Sequence, residues 1–113
     1  DAGISGRRSD FGSTDSSGYM VFIEPYDEMV TLYKRVSGQW TLLGTYQTTI
    51  ATGVEYNIGL AMNGASISAL WNGSPVISVT DSTFSQAGST GIITGNGFPM
   101  TGIKWDDFGV TVQ

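Results

Sequence analysis

Cysteine and histidine are both absent from the 113-residue chain. Without cysteine there is no disulfide framework and no thiolate metal site. Without histidine the commonest general base and metal ligand is gone, and the Ser-His-Asp and Cys-His arrangements are excluded. Charge is scarce as well, at 13% of residues, with five cations against ten carboxylates and a net charge of −5. Arg7, Arg8, Lys34, Arg35 and Lys104 are too few to line a phosphate backbone, so no nucleic-acid partner is expected. No stretch approaches eighteen consecutive apolar residues, so no membrane insertion by a helix is expected either. Two carboxylates at alternate positions of one strand, the pattern that would face an acid and a nucleophile into one cleft, occur nowhere. The acidic run "EPYDE" is broken by Pro25 and reads as a turn. No catalytic residue is assigned, and the chain reads as not an enzyme.

What the chain does have is glycine, sixteen residues of it, and 40% hydrophobic residues, with abundant Ser and Thr. That is the composition of a β-protein with many tight turns rather than of a disordered tail. The helical i, i+3, i+4, i+7 template is not sustained anywhere, while period-2 runs recur at the roughly 8–12-residue spacing of all-β domains. The clearest alternation is Val54-Tyr56-Ile58-Leu60-Met62. It leads into Asn63-Gly64, a strand from Ala65 to Trp71, then Asn72-Gly73, and a strand from Pro75 to Thr80. Asn-Gly between apolar runs is the strongest short hairpin signal, because both central residues of a type I′ turn need φ > 0. These two turns predict a three-stranded meander. "MVTLYKRVSGQWTLLGTY" predicts another hairpin around Ser37-Gly38-Gln39. "GYMVFIEP", Gly18 to Pro25, is apolar on both phases, as a central strand covered on both faces would be.

The last run, "GIKWDDFGVTVQ", slips phase: Ile103 and Trp105 are odd, whereas Phe108, Val110 and Val112 are even. One inserted residue, a β-bulge at Asp106-Asp107, would restore a single face. The whole predicts an all-β antiparallel sandwich of about nine strands with no substantial helix, one domain over residues 1–113.

The pieces "AGISGR", "GYMVFIEP", "VTLYKRVSGQWTLLG", "YNIGLAMNGASISALWNGSPVISVTDSTF", "GSTGIITG" and "WDDFGV", in this order, resemble concanavalin-A-like and laminin-G-like jelly-roll domains along the whole chain. The double Asn-Gly meander, "VTDSTF" and the "DDF" ending carry most of that resemblance. It implies a jelly-roll β-sandwich of the kind found in secreted glycan-binding proteins and in phage tail and surface proteins. The expected partner is a glycan or cell-surface ligand, and the expected location is extracellular or on a virion surface. Such domains carry further strands before the "AGI" strand, which here begins at Asp1. The chain is therefore expected to be the C-terminal part of a longer domain, or to self-associate through open sheet edges. A structural subunit whose faces bind other copies is the competing function.

Candidate ligand residues are the outward-phase Tyr33 and Arg35, alternating with Thr31, together with Arg8, which with Arg7 ends the first strand beside the polar 10–17 loop. Their alternative is an ordinary solvated face. Trp40 and Trp71 each stand beside a turn and could stack on a sugar ring. Trp71 shares the phase of Ile67 and Ala69, which favours a core position for it. No cofactor is required, although related sandwiches hold a structural calcium near a terminal pair such as Asp106 and Asp107, a hard cation suited to carboxylate oxygens. Solvated carboxylates on a bulge are the alternative. Asp81 in "VTDSTF" predicts an Asx turn onto the backbone two residues on. "NGSP" matches a glycosylation triplet at Asn72, but the turn already requires Asn-Gly there.

Overall fold

A computed structural model describes residues 2–9, 15–86 and 88–94. They contain eight strands and no helix: β1 Ala2–Ser9, β2 Ser17–Glu24, β3 Met29–Val36, β4 Gln39–Gln47, β5 Ile58–Asn63, β6 Ser66–Trp71, β7 Ser74–Thr80 and β8 Ser89–Thr94. All pairings are antiparallel, in two sheets ordered β4-β3-β2-β1-β8 and β5-β6-β7. This is the all-β sandwich expected; the run holding Asp106-Asp107 and its bulge lies outside the described residues.

Period two decides what the sheets enclose. Tyr19 and Val21 of β2 and Val30 and Leu32 of β3 point inward, against Ile67, Ala69 and Trp71 of β6 and Ile77 of β7. Each Val, Leu or Ile side chain among them, taken fully out of water, contributes about 1.5–3 kcal/mol. The opposite phase of β2, Met20 and Phe22, is buried too, which bears out the reading of β2 as a strand covered on both faces.

The meander is present, with one correction to its first turn. Asn72 and Gly73 both have positive φ (50° and 85°) between the paired Trp71 and Ser74, as a type I′ turn requires. Asn63, by contrast, is paired with Ser66, so the central residues are Gly64 and Ala65, and among them only Gly64 has positive φ (58°). A glycine in the first central position marks type II′. The expected alternation from Val54 also starts late: β5 begins at Ile58, and Val54 is 54% exposed. Tyr56, between them, leaves the strand pattern to stack on Trp71, with ring centroids 4.7 Å apart, and its hydroxyl accepts from the Ala51 N–H. Asn72 is occupied as well, its Oδ1 accepting from the Asn57 N–H at 3.0 Å.

Two bulges shape the faces. In β4, Leu32 pairs with Gly44 but Tyr33 with Leu42, so Leu43 is the extra residue. Leu42 is then half exposed while Leu43 packs against the core. In β1 the register with β2 and with β8 slips between Ser5 and Ser9, at Arg7, whose φ is 47°. A left-handed non-glycine residue in the middle of a strand costs on the order of 1–3 kcal/mol and is kept where the surrounding structure holds it.

Candidate ligand-binding surface

Strand register assembles an aromatic cluster on the outer face of the larger sheet. Across β2, β3 and β4, Met20 pairs with Tyr33, Tyr33 with Leu42, and Arg35 with Trp40. The Phe22, Tyr33 and Trp40 rings meet pairwise at 5.6–6.0 Å between centroids, two of the three contacts edge-to-face. The Arg35 guanidinium lies 4.9 Å from the Trp40 ring centroid, a cation–π contact. Trp40 nevertheless stays 47% exposed beside Leu42 at 50%. Burial raises the Tyr33 phenol above its usual pKa, and the Glu24 charge adds to that.

This corrects one expectation. Thr31, Tyr33 and Arg35 share a phase, but they are not a solvated polar stripe: Thr31 is buried, and Tyr33 and Arg35 are partly covered. The reason is register, which lays bulky Trp40 and Phe22 on either side of β3.

Arg8 joins the cluster through a buried hydroxyl. Arg8 Nη2 and Arg35 Nη1 both donate to Ser16 Oγ, at 3.2 and 2.9 Å, and Ser16 is fully buried. Burial lowers the pKa of Arg8, and repulsion from Arg35 lowers it further; a guanidinium stays charged at neutral pH all the same. Four of the five candidate ligand residues, Arg8, Tyr33, Arg35 and Trp40, are thus brought together. Trp71 is not among them. It belongs to the core cluster at 8% exposure, with Tyr56 stacked on it.

The sequence set Arg7 beside Arg8 at the end of the first strand but gave no sign of its partners. Its Nη1 donates to Gly64 O at 2.7 Å and to Phe84 O at 2.8 Å, which ties β1 to the β5–β6 turn and to the segment after β7. The signal for the bulge lay in the doubled "RR": two long cations at consecutive positions of a half-buried strand need an inserted residue, by the same phase argument applied to "DD". Arg7 and Arg8, with Ser9, Thr83, Phe84, Ser85, Gln86 and Gly88, line a cleft of about 190 Å³.

Below that cleft, Asp81 gathers three donors. Tyr19 Oη donates to Oδ1 at 2.6 Å, Lys34 Nζ to Oδ2 at 2.9 Å, and the Thr83 N–H to Oδ1 at 3.0 Å. The last bond is the Asx turn read from "VTDSTF". Burial alone would raise the Asp81 pKa, but the bonds from Tyr19, Lys34 and Thr83 outweigh it and hold the carboxyl below its usual range. Tyr19 is pushed up to about 12, first by burial and then by its bond to Asp81.

Among the described residues no three His, Cys, Asp or Glu side chains gather as a metal site, and no helix is long and apolar enough to cross a membrane. The calcium expectation at Asp106 and Asp107 falls outside the described residues.

No family model and no curated protein matches the chain. Among solved structures it is similar to the carbohydrate-binding module CBM66 from Bacillus subtilis, with a TM-score of 0.71 and 21% identity. The match covers 80% of this chain and 54% of that one, so this chain spans about half the length of its structural neighbour. At that identity the likeness is one of fold. It bears out the β-sandwich, while the concanavalin-A-like or laminin-G-like family itself has no matching family model behind it.

Proposed function

We propose that this chain is a non-catalytic glycan-recognition module, displayed outside the cell or on a virion surface. The observation that carries the reading is the exposed Trp40 ring, held by Tyr33, Phe22 and the Arg35 guanidinium on one sheet face. A braced aromatic plane loses little freedom when a pyranose ring lies along it, and guanidiniums beside it supply donors to sugar hydroxyls. The fold it shares with a carbohydrate-binding module supports the same reading. Neither histidine nor cysteine is present to run covalent or imidazole chemistry.

The test is a glycan array on the wild-type chain, followed by titration of the best hit against Trp40→Ala. A half-exposed ring contributes little to the core, so the variant should keep its circular dichroism and melting temperature. It should bind about tenfold more weakly, the worth of one aromatic stack. Absence of any glycan bound by the wild type, or equal binding by a folded Trp40→Ala, would refute the proposal.

A second reading has its own observation. Val36, Trp40, Leu42 and Tyr46 leave large apolar surface exposed at and beside β4, the outermost strand of its sheet among the described residues. Edge strands of that character pair with other copies, which suits a subunit of an assembly. Light scattering that rises from monomer to multimer with concentration, and is abolished by Leu42→Lys, would favour it over the glycan module.

A further inference from the structure

The cleft beside the β1 bulge is not needed for stacking a neutral sugar, yet it is built with care. A left-handed Arg7 opens the register of β1, and Gly88 closes against the gap. A Cβ there would fall 2.7 Å from Arg7 C, Arg8 N and Arg8 O. Only a residue without a side chain lets that segment lie flat on the bulge. Arg7 and Arg8 both line one small opening in a chain of net charge −5. Arg7 spends Nη1 on two carbonyls and forms no ion pair among the described residues. Ser85, Gln86 and Phe84 also line it, the Phe84 ring set edge-on to Tyr19 at 5.2 Å.

We propose that this cleft takes the acidic end of a glycan: a sugar bearing an oxyanion, either a uronate carboxylate or a sulfate ester. The inference rests on the glycan reading above and adds the charge class of the ligand. A guanidinium fork matches such oxyanions in geometry and charge, while Ser85 and Gln86 can bond ring hydroxyls and Phe84 can meet C–H groups. The opening, at about 190 Å³, falls below the few hundred Å³ of sites that enclose larger ligands. It therefore suits one terminal ring or substituent and not an internal stretch of polymer. Arg8 makes it continuous with the aromatic platform: Arg8 lines the cleft and bonds Ser16, Ser16 bonds Arg35, and Arg35 lies over Trp40.

Three oligosaccharides identical except at the terminal ring serve as probes: one ending in glucuronate, one in sulfated galactose and one in unsubstituted glucose. Titration calorimetry should show at least one acidic probe binding about tenfold more tightly than the neutral one, the worth of a charge-assisted bond. That margin should shrink as salt is added. Whichever acidic probe binds more tightly identifies the oxyanion. Arg7→Lys keeps the charge, loses the fork, and should erase the margin. Because Arg7 also braces two loops, the surface variant Ser85→Ala/Gln86→Ala provides a second route, with several-fold weaker binding of the acidic probe alone. Equal binding of all three probes, or a margin unchanged in the folded Ser85→Ala/Gln86→Ala variant, would overturn the cleft proposal while leaving glycan binding at Trp40 intact. The glycan reading itself fails if the array is blank or if a folded Trp40→Ala binds as well as the wild type.

Discussion

Replacing Asp81 by Asn tests whether the carboxylate under the cleft holds the sandwich together. Three donors converge on it from β2, β3 and the segment after β7: Tyr19 Oη, Lys34 Nζ and the Thr83 N–H. Asparagine keeps one carbonyl oxygen and so keeps part of the Asx turn, but it removes the charge opposite Lys34. The two side chains of that ion pair are only 23% and 11% exposed, so water replaces the lost partner poorly. Breaking a fully buried pair costs about 3–5 kcal/mol, and the partial exposure of Lys34 points to the lower end, about 3 kcal/mol. That is a large share of the 5–15 kcal/mol typical of a domain, equivalent to a melting temperature lower by about 10–15 °C. Urea denaturation followed by circular dichroism measures it directly. The pH dependence supplies an independent arm. Asp81 is held below its ordinary 3.8 in the folded chain, so its stabilisation is complete above about pH 4. It drains away as the pH falls further and the carboxyl protonates. The wild type should therefore lose stability steeply below pH 4, and Asp81→Asn much less so. A variant within about 0.5 kcal/mol of wild type at neutral pH, or one with an identical acid slope, would refute this account of the network.

The same network predicts an alkaline shoulder. Tyr19 is raised from 10.0 to about 12 in the folded chain, so its stabilisation is complete below pH 10 and is lost as the pH climbs towards 12. Tyr19→Phe should flatten that shoulder and cost about 1–2 kcal/mol at neutral pH; phenolate absorbance during alkaline denaturation follows both. Two glycines facing the core give a contrast in packing. A Cβ on Gly6 would press on Met62 Cε, the far end of a flexible chain, whereas one on Gly44 would lie 2.5 Å from Cγ2 of the buried, β-branched Ile77. Gly44→Ala should cost about 1–3 kcal/mol and Gly6→Ala less than half of that. Equal losses in thermal melts would show that the sheets yield together around either site.

The backbone plan was legible because local rules and the global fold agree along most of the chain. "WNGS" demands a two-residue turn wherever it occurs, and an eight-residue strand apolar on both phases, β2, has nowhere to go but the middle of a sheet. The candidate surface was only half legible, because it depends on which residues lie opposite one another. Tyr33 and Arg35 look polar and solvated in isolation; they become a braced platform once the Ser37-Gly38 turn pairs Val36 with Gln39 and so sets Trp40 against Arg35. That step could have been taken from the turn alone. The extra residue at Leu43 could not, since "TLLG" gives no sign of which leucine turns outward. Nor could the role of Arg7, whose partners are the carbonyls of Gly64 and Phe84, 57 and 77 residues away in sequence.

The contrast between the two tryptophans makes the chain its own spectroscopic instrument. Trp71, sealed under Tyr56, emits from an apolar surrounding and is out of reach of a quencher dissolved in water, so its spectrum shifts to the red only when the sandwich opens. Trp40, half in solvent with a guanidinium against its face, is open to iodide and to any sugar laid on the ring. With Trp105 changed to phenylalanine, iodide quenching would follow occupancy of the sheet face while the wavelength of the unquenched fraction follows folding. Two equilibria would then be read from one cuvette without a label.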